Sequence, residues 1–332
     1  MLFGQASVIL FSVRKSKGRC IIELFLNIIL LIVGFVMLIK GADWFVEGVA
    51  GIAEKFGIPQ LVIGLTIVAM GTSAPEAAVS ITSALKGNAG ITIGNVVGSN
   101  ILNVLIILGL TAVITNVAIQ KSTIRYELPF MLVITLVLIG LGMTGGNINL
   151  VEGIIMWVLF LVYMAYLFVM AKKGKQENEE AAEDRPIWKL LLMGIIGAAL
   201  VVVGADFTVD GATVIAKTFG MSDRLIGLTI VALGTSLPEL VTSVTAAKKG
   251  KADIAIGNIV GSNIFNILFV VGTTALVTPV VFESKFVIDT LIAFVAGIIL
   301  WIGVAKHKEL RRPTGVVMLV AYAAYFVYLL LG

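Results

Sequence analysis

The chain has 332 residues, of which 59% are hydrophobic and only 13% charged, with a net charge of +4 and a mean hydropathy of +1.07. A soluble domain carries roughly 25% charged residues, so this chain cannot cover a water-facing surface and reads as an integral membrane protein. The positive balance has no basic patch interleaved with aromatics, which argues against nucleic acid; a single cysteine (Cys20) and a single histidine (His307, between Lys306 and Lys308) exclude a disulfide framework and a thiolate metal site.

Residues 1–20 form an N-terminal extension. A short apolar run precedes Arg14, Lys15, Lys17 and Arg19, the reverse of a signal peptide's order, so little function is expected of it. Apolar runs then follow at 21–39, 60–85, 91–118, 127–143, 150–170, 190–216, 225–247, 254–283, 285–305 and 313–331. Each is near or above the ~20 residues that span a bilayer as a helix. The expected fold is all-α, with about ten transmembrane helices. The one long polar interruption, "AKKGKQENEEAAEDRPIWK" (171–189), is too short to hold a folded domain.

Shifting the chain by 163 lays residues 57–105 on 220–268 without a gap, and 30 of the 49 positions are identical. "IGLTIVAMGTSAPE" (63–76) falls on "IGLTIVALGTSLPE" (226–239), and "IGNVVGSNILN" (93–103) on "IGNIVGSNIFN" (256–266). This is an internal duplication. Each half holds five spans, an odd number, so the second half enters the membrane inverted. The expected organisation is a first five-helix repeat at 21–172, a linker at 173–188 and a second, inverted repeat at 189–332. Lys and Arg number fifteen on the linker's side of the membrane and eight on the other. That places the linker in the cytoplasm and both termini outside a cell membrane.

Glu76 and Glu239 sit mid-run with no Lys or Arg beside them. A carboxylate at the bilayer centre costs ~2.5–3.5 kcal/mol on insertion scales, so each needs a cation or a proton. Inverted symmetry sends depth z to −z, and equivalent residues meet only near the midplane. Pro75 and Pro238 lack an N–H and crowd the carbonyl four residues back. The helices should break there and free carbonyls over Ala69–Thr72 and Ala232–Thr235. With the hydroxyls of Thr72, Ser73, Thr235 and Ser236 this is an all-oxygen set, suited to a hard cation such as calcium. Ser99 and Asn103, four apart on one helix face, recur as Ser262 and Asn266. Gly94 and Gly98, like Gly257 and Gly261, are spaced for close helix contact. Asn95, Asn100, Asn258 and Asn263 read as interhelical glue, and Asp43 and Asp206, near span ends, as structural pairs or caps.

The doubled "GTSAPE…GNVVGSNILN" and "GTSLPE…GNIVGSNIFN" resemble the α-repeats of the sodium/calcium exchanger family, in its compact prokaryotic form. The resemblance implies antiport of Ca²⁺ against Na⁺ by alternating access, with no enzymatic activity and no cofactor. It implies a calcium site at Glu76, Glu239 and the carbonyls of Thr72 and Thr235. Sodium or shared sites would add Ala69, Ser73, Ser99, Asn103, Ala232, Ser236, Ser262 and Asn266, with residues 22–54 and 188–218 as the gating pair. Some relatives carry Asp where this chain has Asn266, including potassium-dependent ones, so no potassium requirement is expected. Two carboxylates with three Na⁺ would make the exchange electrogenic. The expected partners are inorganic cations and the lipid bilayer, with the chain acting as a monomer. Buried glutamates also bind protons, so H⁺/Ca²⁺ antiport is the alternative.

Overall fold

In a computed structural model the described residues are 2–85, 89, 91–177, 185–220 and 232–331. The first repeat comprises α1 (Leu2–Phe56), the pair α2 (Gln60–Thr72) and α3 (Ala74–Leu85), α4 (Ile91–Ile114), α5 (Thr123–Met143) and α6 (Leu150–Glu177). The second comprises α7 (Ile187–Thr218), the pair α8 (Ala232–Thr235) and α9 (Leu237–Lys248), α10 (Ala252–Val277), α11 (Ser284–Ala305) and α12 (Arg312–Leu331). The protein is an all-α membrane protein built from two inverted five-helix repeats. Among the described residues eight helices are long and apolar enough to span a membrane, and the bent pair α2–α3 makes a ninth. The tenth predicted span, 225–247, lies partly outside the described residues and is picked up at Ala232. The backbone of residues 2–20 continues α1 rather than forming a separate element.

Burial sorts the helices. The most apolar window of α10 is 94% buried inside the protein and that of α4 is 72%, against 17% for α1 and 11% for α12. The two helices carrying the G-N-x-x-G-S-N motif are therefore the centre, and the others are surrounded increasingly by lipid. Glycine sets how closely the centre packs. A Cβ on Gly257 would lie 3.0 Å from Gly64 Cα, and one on Gly261 2.7 Å from the Leu65 carbonyl. α10 thus presses its backbone against α2, as the G-x-x-x-G spacing predicts.

A second glycine pattern sets the contact between α1 and α7. Gly34, Gly41 and Gly48 of α1, and Gly197, Gly204 and Gly211 of α7, recur every seven residues. The two helices meet in antiparallel register: Gly34 against Gly204, Gly41 against Gly197, and Gly48 against a further glycine, Gly194, while Gly211 lies on Asn27 and Leu31. A Cβ at Gly197 would lie 2.3 Å from the Phe45 backbone nitrogen. Gly197→Leu is expected to cost ~1–3 kcal/mol by overpacking. Thermal unfolding in detergent reads this against Gly140→Leu, where a Cβ meets nothing within 4 Å.

Two short ribbons depart from the all-helical expectation. β1 (Val117–Ala118) pairs antiparallel with β4 (Glu309–Leu310), and β2 (Asn147–Ile148) with β3 (Val280–Val281). Each joins one repeat to the other, and Val117, Ile148, Val280 and Leu310 are fully buried. Two-residue strands are too short to show a period of two in sequence.

Candidate cation site

The site is built where α2 gives way to α3 and α8 to α9. The break is one residue wide. Ser73 (φ −84°, ψ 7°) and Ser236 (φ −93°, ψ 5°) leave helical geometry, and the α2–α3 axis turns by 48°. Proline is the cause. The break frees fewer carbonyls than the sequence predicts. Ala69 C=O still accepts the Ser73 N–H (3.0 Å), and Ala77 N–H reaches Ser73 C=O (3.1 Å). Among the described residues, no N–H returns to the carbonyls of Gly71 or Thr72 across the break. The Ser262 hydroxyl also donates to Ala69 C=O (3.4 Å), and Thr72 Oγ1 lies 3.3 Å from the same oxygen.

Asparagines hold the two halves in matching geometry. Asn95 Nδ2 donates to Glu76 C=O (3.1 Å) and to Ser80 Oγ (2.9 Å). Asn258 Nδ2, its repeat equivalent, donates to Glu239 C=O (3.4 Å) and Ser243 Oγ (2.9 Å). Asn100 and Asn263 exchange Nδ2-to-carbonyl bonds of 3.2 and 3.3 Å across the pseudo-two-fold. Asn103 Nδ2 donates to Asn263 Oδ1 (2.9 Å) and Asn266 Nδ2 to Asn100 Oδ1 (3.1 Å). The four asparagines read as glue are glue, and they fix Asn103 and Asn266 with their amide nitrogens turned away. Each of these two opens a wide π turn, Asn103–Leu108 and Asn266–Val271. Such turns recur at functional sites, yet no residue pattern announced them.

What remains unpartnered is one chemical type. Both oxygens of Glu76, Oε2 of Glu239, Oδ1 of Asn103, Oδ1 of Asn266 and Oγ of Ser236 are buried without a hydrogen-bond partner. Ser73 Oγ donates to Glu239 Oε1 (2.8 Å), and Thr72 Oγ1 to Asn258 Oδ1 (2.9 Å), so the first half's break reaches into the second half. Buried polar atoms are normally satisfied. A cluster of orphan oxygens with two carboxylates, and no Lys or Arg paired to either among the described residues, is the complement of a cation. Of the other residues picked from sequence, Ser99 is buried and Thr235 half-buried; Ala232 opens α8, at the edge of the described residues. Asn266→Asp would remove the donor held by Asn100 Oδ1 and set a carboxylate against it. Breaking a buried hydrogen bond in this way costs ~1–3 kcal/mol. A lower unfolding temperature in cation-free buffer, partly restored by Ca²⁺, is the expected result.

Among the described residues, access to the site is from one side. A cavity of about 560 Å³ lined by Ala74, Pro75, Ala78, Asp206, Asp210 and Thr235 leads to the broken helices. Asp206 and Asp210 lie about 30 Å along α7 from its linker end, so this cavity opens on the face opposite the linker. Asp206, expected from its place near a span end to be a structural pair or cap, lines the cavity, with no ion pair among the described residues. The equivalent cleft on the linker face, about 490 Å³, is lined by Asp43, Val241, Thr245 and Lys249 but reaches neither break. There Leu237 and Val241 pack on Leu38, Ala42, Val201 and Ala205. Lys249 bridges Asp43 (3.2 Å) and Glu47 (2.7 Å), and Arg185 adds a bond to Glu47 (3.3 Å). Asp43 is thus a structural pair, as expected.

Inverted repeats in a membrane, a helix break in each repeat and a buried anionic oxygen cluster define a membrane transporter for cations, not an enzyme. The same family model, sodium/calcium exchanger protein, matches twice, at residues 26–169 and 189–331. The chain belongs to the sodium/calcium exchanger family. CaxA of Alkalimonas amylolytica is 39% identical over 310 residues, 90% of this chain and 96% of that protein. The sodium/calcium exchanger MaX1 of Methanosarcina acetivorans is 33% identical over 347 residues, 91% of this chain and 98% of that protein. The solved structure of the sodium-calcium exchanger NCX_Mj, soaked with zero Na⁺ and Ca²⁺, superposes with a TM-score of 0.81 at 32% identity, covering 92% of this chain and 99% of that one.

Proposed function

We propose that the protein exchanges Ca²⁺ for Na⁺ across the cell membrane by alternating access, electrogenically and without potassium. The observation that carries this reading is the set of buried, donor-free oxygens from Glu76, Glu239, Asn103, Asn266 and Ser236. Calcium takes 6–8 oxygen ligands in flexible geometry, and two carboxylates neutralise it. In this assignment Glu76, Glu239 and the carbonyls of Thr72 and Thr235 hold Ca²⁺. The Ala69 and Ala232 carbonyls, with Ser73, Ser99, Ser236, Ser262, Asn103 and Asn266, complete sodium sites that share the glutamates. Because the ligands overlap, the two ions compete. A site with two bare carboxylates is penalised in crossing, so reorientation is coupled to occupancy. Three Na⁺ against two carboxylates leave a net charge of +1, hence the voltage dependence. With no third carboxylate at 103 or 266, potassium is not needed.

The Lys/Arg bias places the linker in the cytoplasm, so the open cavity with Asp206 and Asp210 faces outward and lets their charge attract cations. The repeats act as 21–172 and 189–332, joined by 173–188, in a monomer. The test is Ca²⁺ uptake into proteoliposomes preloaded with Na⁺, K⁺ or acid, with the voltage clamped by an ionophore. Uptake driven by Na⁺ and accelerated by an inside-negative potential is not expected, since three positive charges leave as two enter; an inside-positive potential should accelerate it. Uptake driven by a pH gradient alone would replace Na⁺ with H⁺ as the counter-ion.

A further inference from the structure

Away from the cation site, a cavity of about 280 Å³ lies between the start of α5 and the second half of α6. Its walls are Arg125, Tyr126, Glu127, Phe130, Tyr163 and Tyr166, with lipid-facing Val162 at its edge. Glu127 is 1% exposed and Tyr163 4%. Tyr166 donates its hydroxyl to Glu127 Oε1, while Glu127 Oε2 and the Tyr163 hydroxyl have no partner. Phe130 and Tyr163 stack at 5.5 Å, and Tyr126 and Tyr166 close the other side at 6.5 Å. Arg125 is exposed and lies 5.7 Å over the Tyr126 ring.

Three features select a ligand. Two unpartnered buried oxygens, one of them a carboxylate's, call for a hydrogen-bond donor. Aromatic faces around a carboxylate favour an organic ammonium over a bare metal ion, and one carboxylate cannot neutralise a divalent cation. The volume, on the order of nine waters at ~30 Å³ each, is too large for a dehydrated ion and fits a small polar group. Depth then says where the ligand comes from. Glu127 is four residues into α5, about 6 Å from its end, where a bilayer passes from acyl chains to headgroups. Arg125 stands at the rim as an anion partner.

We propose that this cavity binds the headgroup of a phospholipid bearing a primary ammonium. The ammonium bonds to Glu127 Oε2 and the Tyr163 hydroxyl within the tyrosine wall, and the phosphate sits on Arg125. The acyl chains leave past Val162 into the bilayer. A trimethylated ammonium fills the same aromatic wall but has no N–H for the two orphan oxygens, so phosphatidylethanolamine is preferred to phosphatidylcholine. Phosphatidylglycerol offers its phosphate and neutral hydroxyl donors, but no cation for the Glu127 carboxylate.

The test is native mass spectrometry of the purified full-length protein equilibrated with equal amounts of these three lipids, matched in acyl chain. The expected result is retention of phosphatidylethanolamine about tenfold over the other two, the scale of one charge-assisted bond. Glu127→Gln is expected to erase that preference. Arg125→Gln, an exposed and structurally tolerant change, should lower retention of all three alike. Tyr163→Phe removes only a hydroxyl and should reduce the preference even if Glu127→Gln fails to fold. Equal retention of the three lipids by the wild type overturns the proposal, as does a preference that survives in both Glu127→Gln and Tyr163→Phe. Free phosphoethanolamine tells the two sources apart: a thermal shift with that compound, alongside no lipid preference, assigns the cavity to a soluble amine and rejects the lipid.

Discussion

Replacing Glu76 or Glu239 by glutamine is expected to abolish Na⁺-driven Ca²⁺ uptake while making the cation-free protein more resistant to heat. The two effects share one cause. Without a cation, Glu76 has neither oxygen hydrogen-bonded and Glu239 has only one, in contact with Ser73. Two buried carboxylates with no counter-charge burden the fold. Glutamine keeps the shape and removes the charge, and its new N–H₂ faces a site rich in orphan acceptors: Asn103 Oδ1, Asn266 Oδ1 and Ser236 Oγ. With Ca²⁺ the balance reverses. A single carboxylate leaves the ion at +1 in a low-dielectric site, and breaking a buried charge pair costs ~3–5 kcal/mol. That is a loss of at least about 100-fold in affinity. Two measurements check the pair. Proteoliposome uptake should fall to background in both variants. The rise in unfolding temperature that Ca²⁺ gives the wild type, worth about 2.7 kcal/mol at 100 times Kd, should vanish in both. Retained uptake, or an undiminished calcium-dependent thermal shift, would show that the glutamates are not the principal ligands.

The large-scale architecture was legible because membrane helices and duplications both write themselves strongly into sequence. Runs of ~20 apolar residues have few soluble explanations, and thirty identities at one fixed offset have none but duplication. The glutamates were legible because burying charge is expensive wherever it occurs. What stayed hidden was relational. Asn95 and Asn258 repeat at the same offset as the glutamates, which was a signal, but nothing in the letters says that their amides clamp the carbonyls of Glu76 and Glu239. The heptad glycines of α1 and α7 were also present in the sequence. Their meaning needed the antiparallel pairing that brings Gly41 onto Gly197. The two ribbons and the π turns at Asn103 and Asn266 had no local signal at all. Glu127 is a further case: it stands at the edge of an apolar run, and only tertiary packing shows that it is buried with an unpartnered oxygen.

The differences between the repeats matter as much as the identities. "GTSAPEAAVS" and "GTSLPELVTS" agree at the residues of the site and differ beside it: Ala74 stands for Leu237 and Ala78 for Val241. On the linker face Leu237 and Val241 fill the space between α1 and α7, sealing it over Leu38 and Ala42. On the other face the two alanines leave the corresponding space as the cavity that leads to Thr235. The face that is closed is therefore the one with the larger side chains, and the Lys249–Asp43–Glu47 ion pairs hold it further. Ala74→Leu combined with Ala78→Val should make the two faces alike and shift the protein toward opening on the linker face. A Val or Leu side chain is worth ~1.5–3 kcal/mol when fully buried. Half-buried seats like those of Leu237 and Val241 still supply enough for a shift of about tenfold. The reporter is Ala42→Cys in a Cys20→Ser background, since Ala42 is fully buried beneath the seal and Cys20 is the chain's only cysteine. Its modification by a thiol reagent should accelerate about tenfold in the double variant, although the substitutions lie on the opposite face and leave its cover intact. The reverse pair, Leu237→Ala with Val241→Ala, uncovers Ala42 directly and so cannot make this distinction. An unchanged rate in Ala74→Leu/Ala78→Val would mean that the alanines shape a static cavity and that closure of one face is not linked to opening of the other.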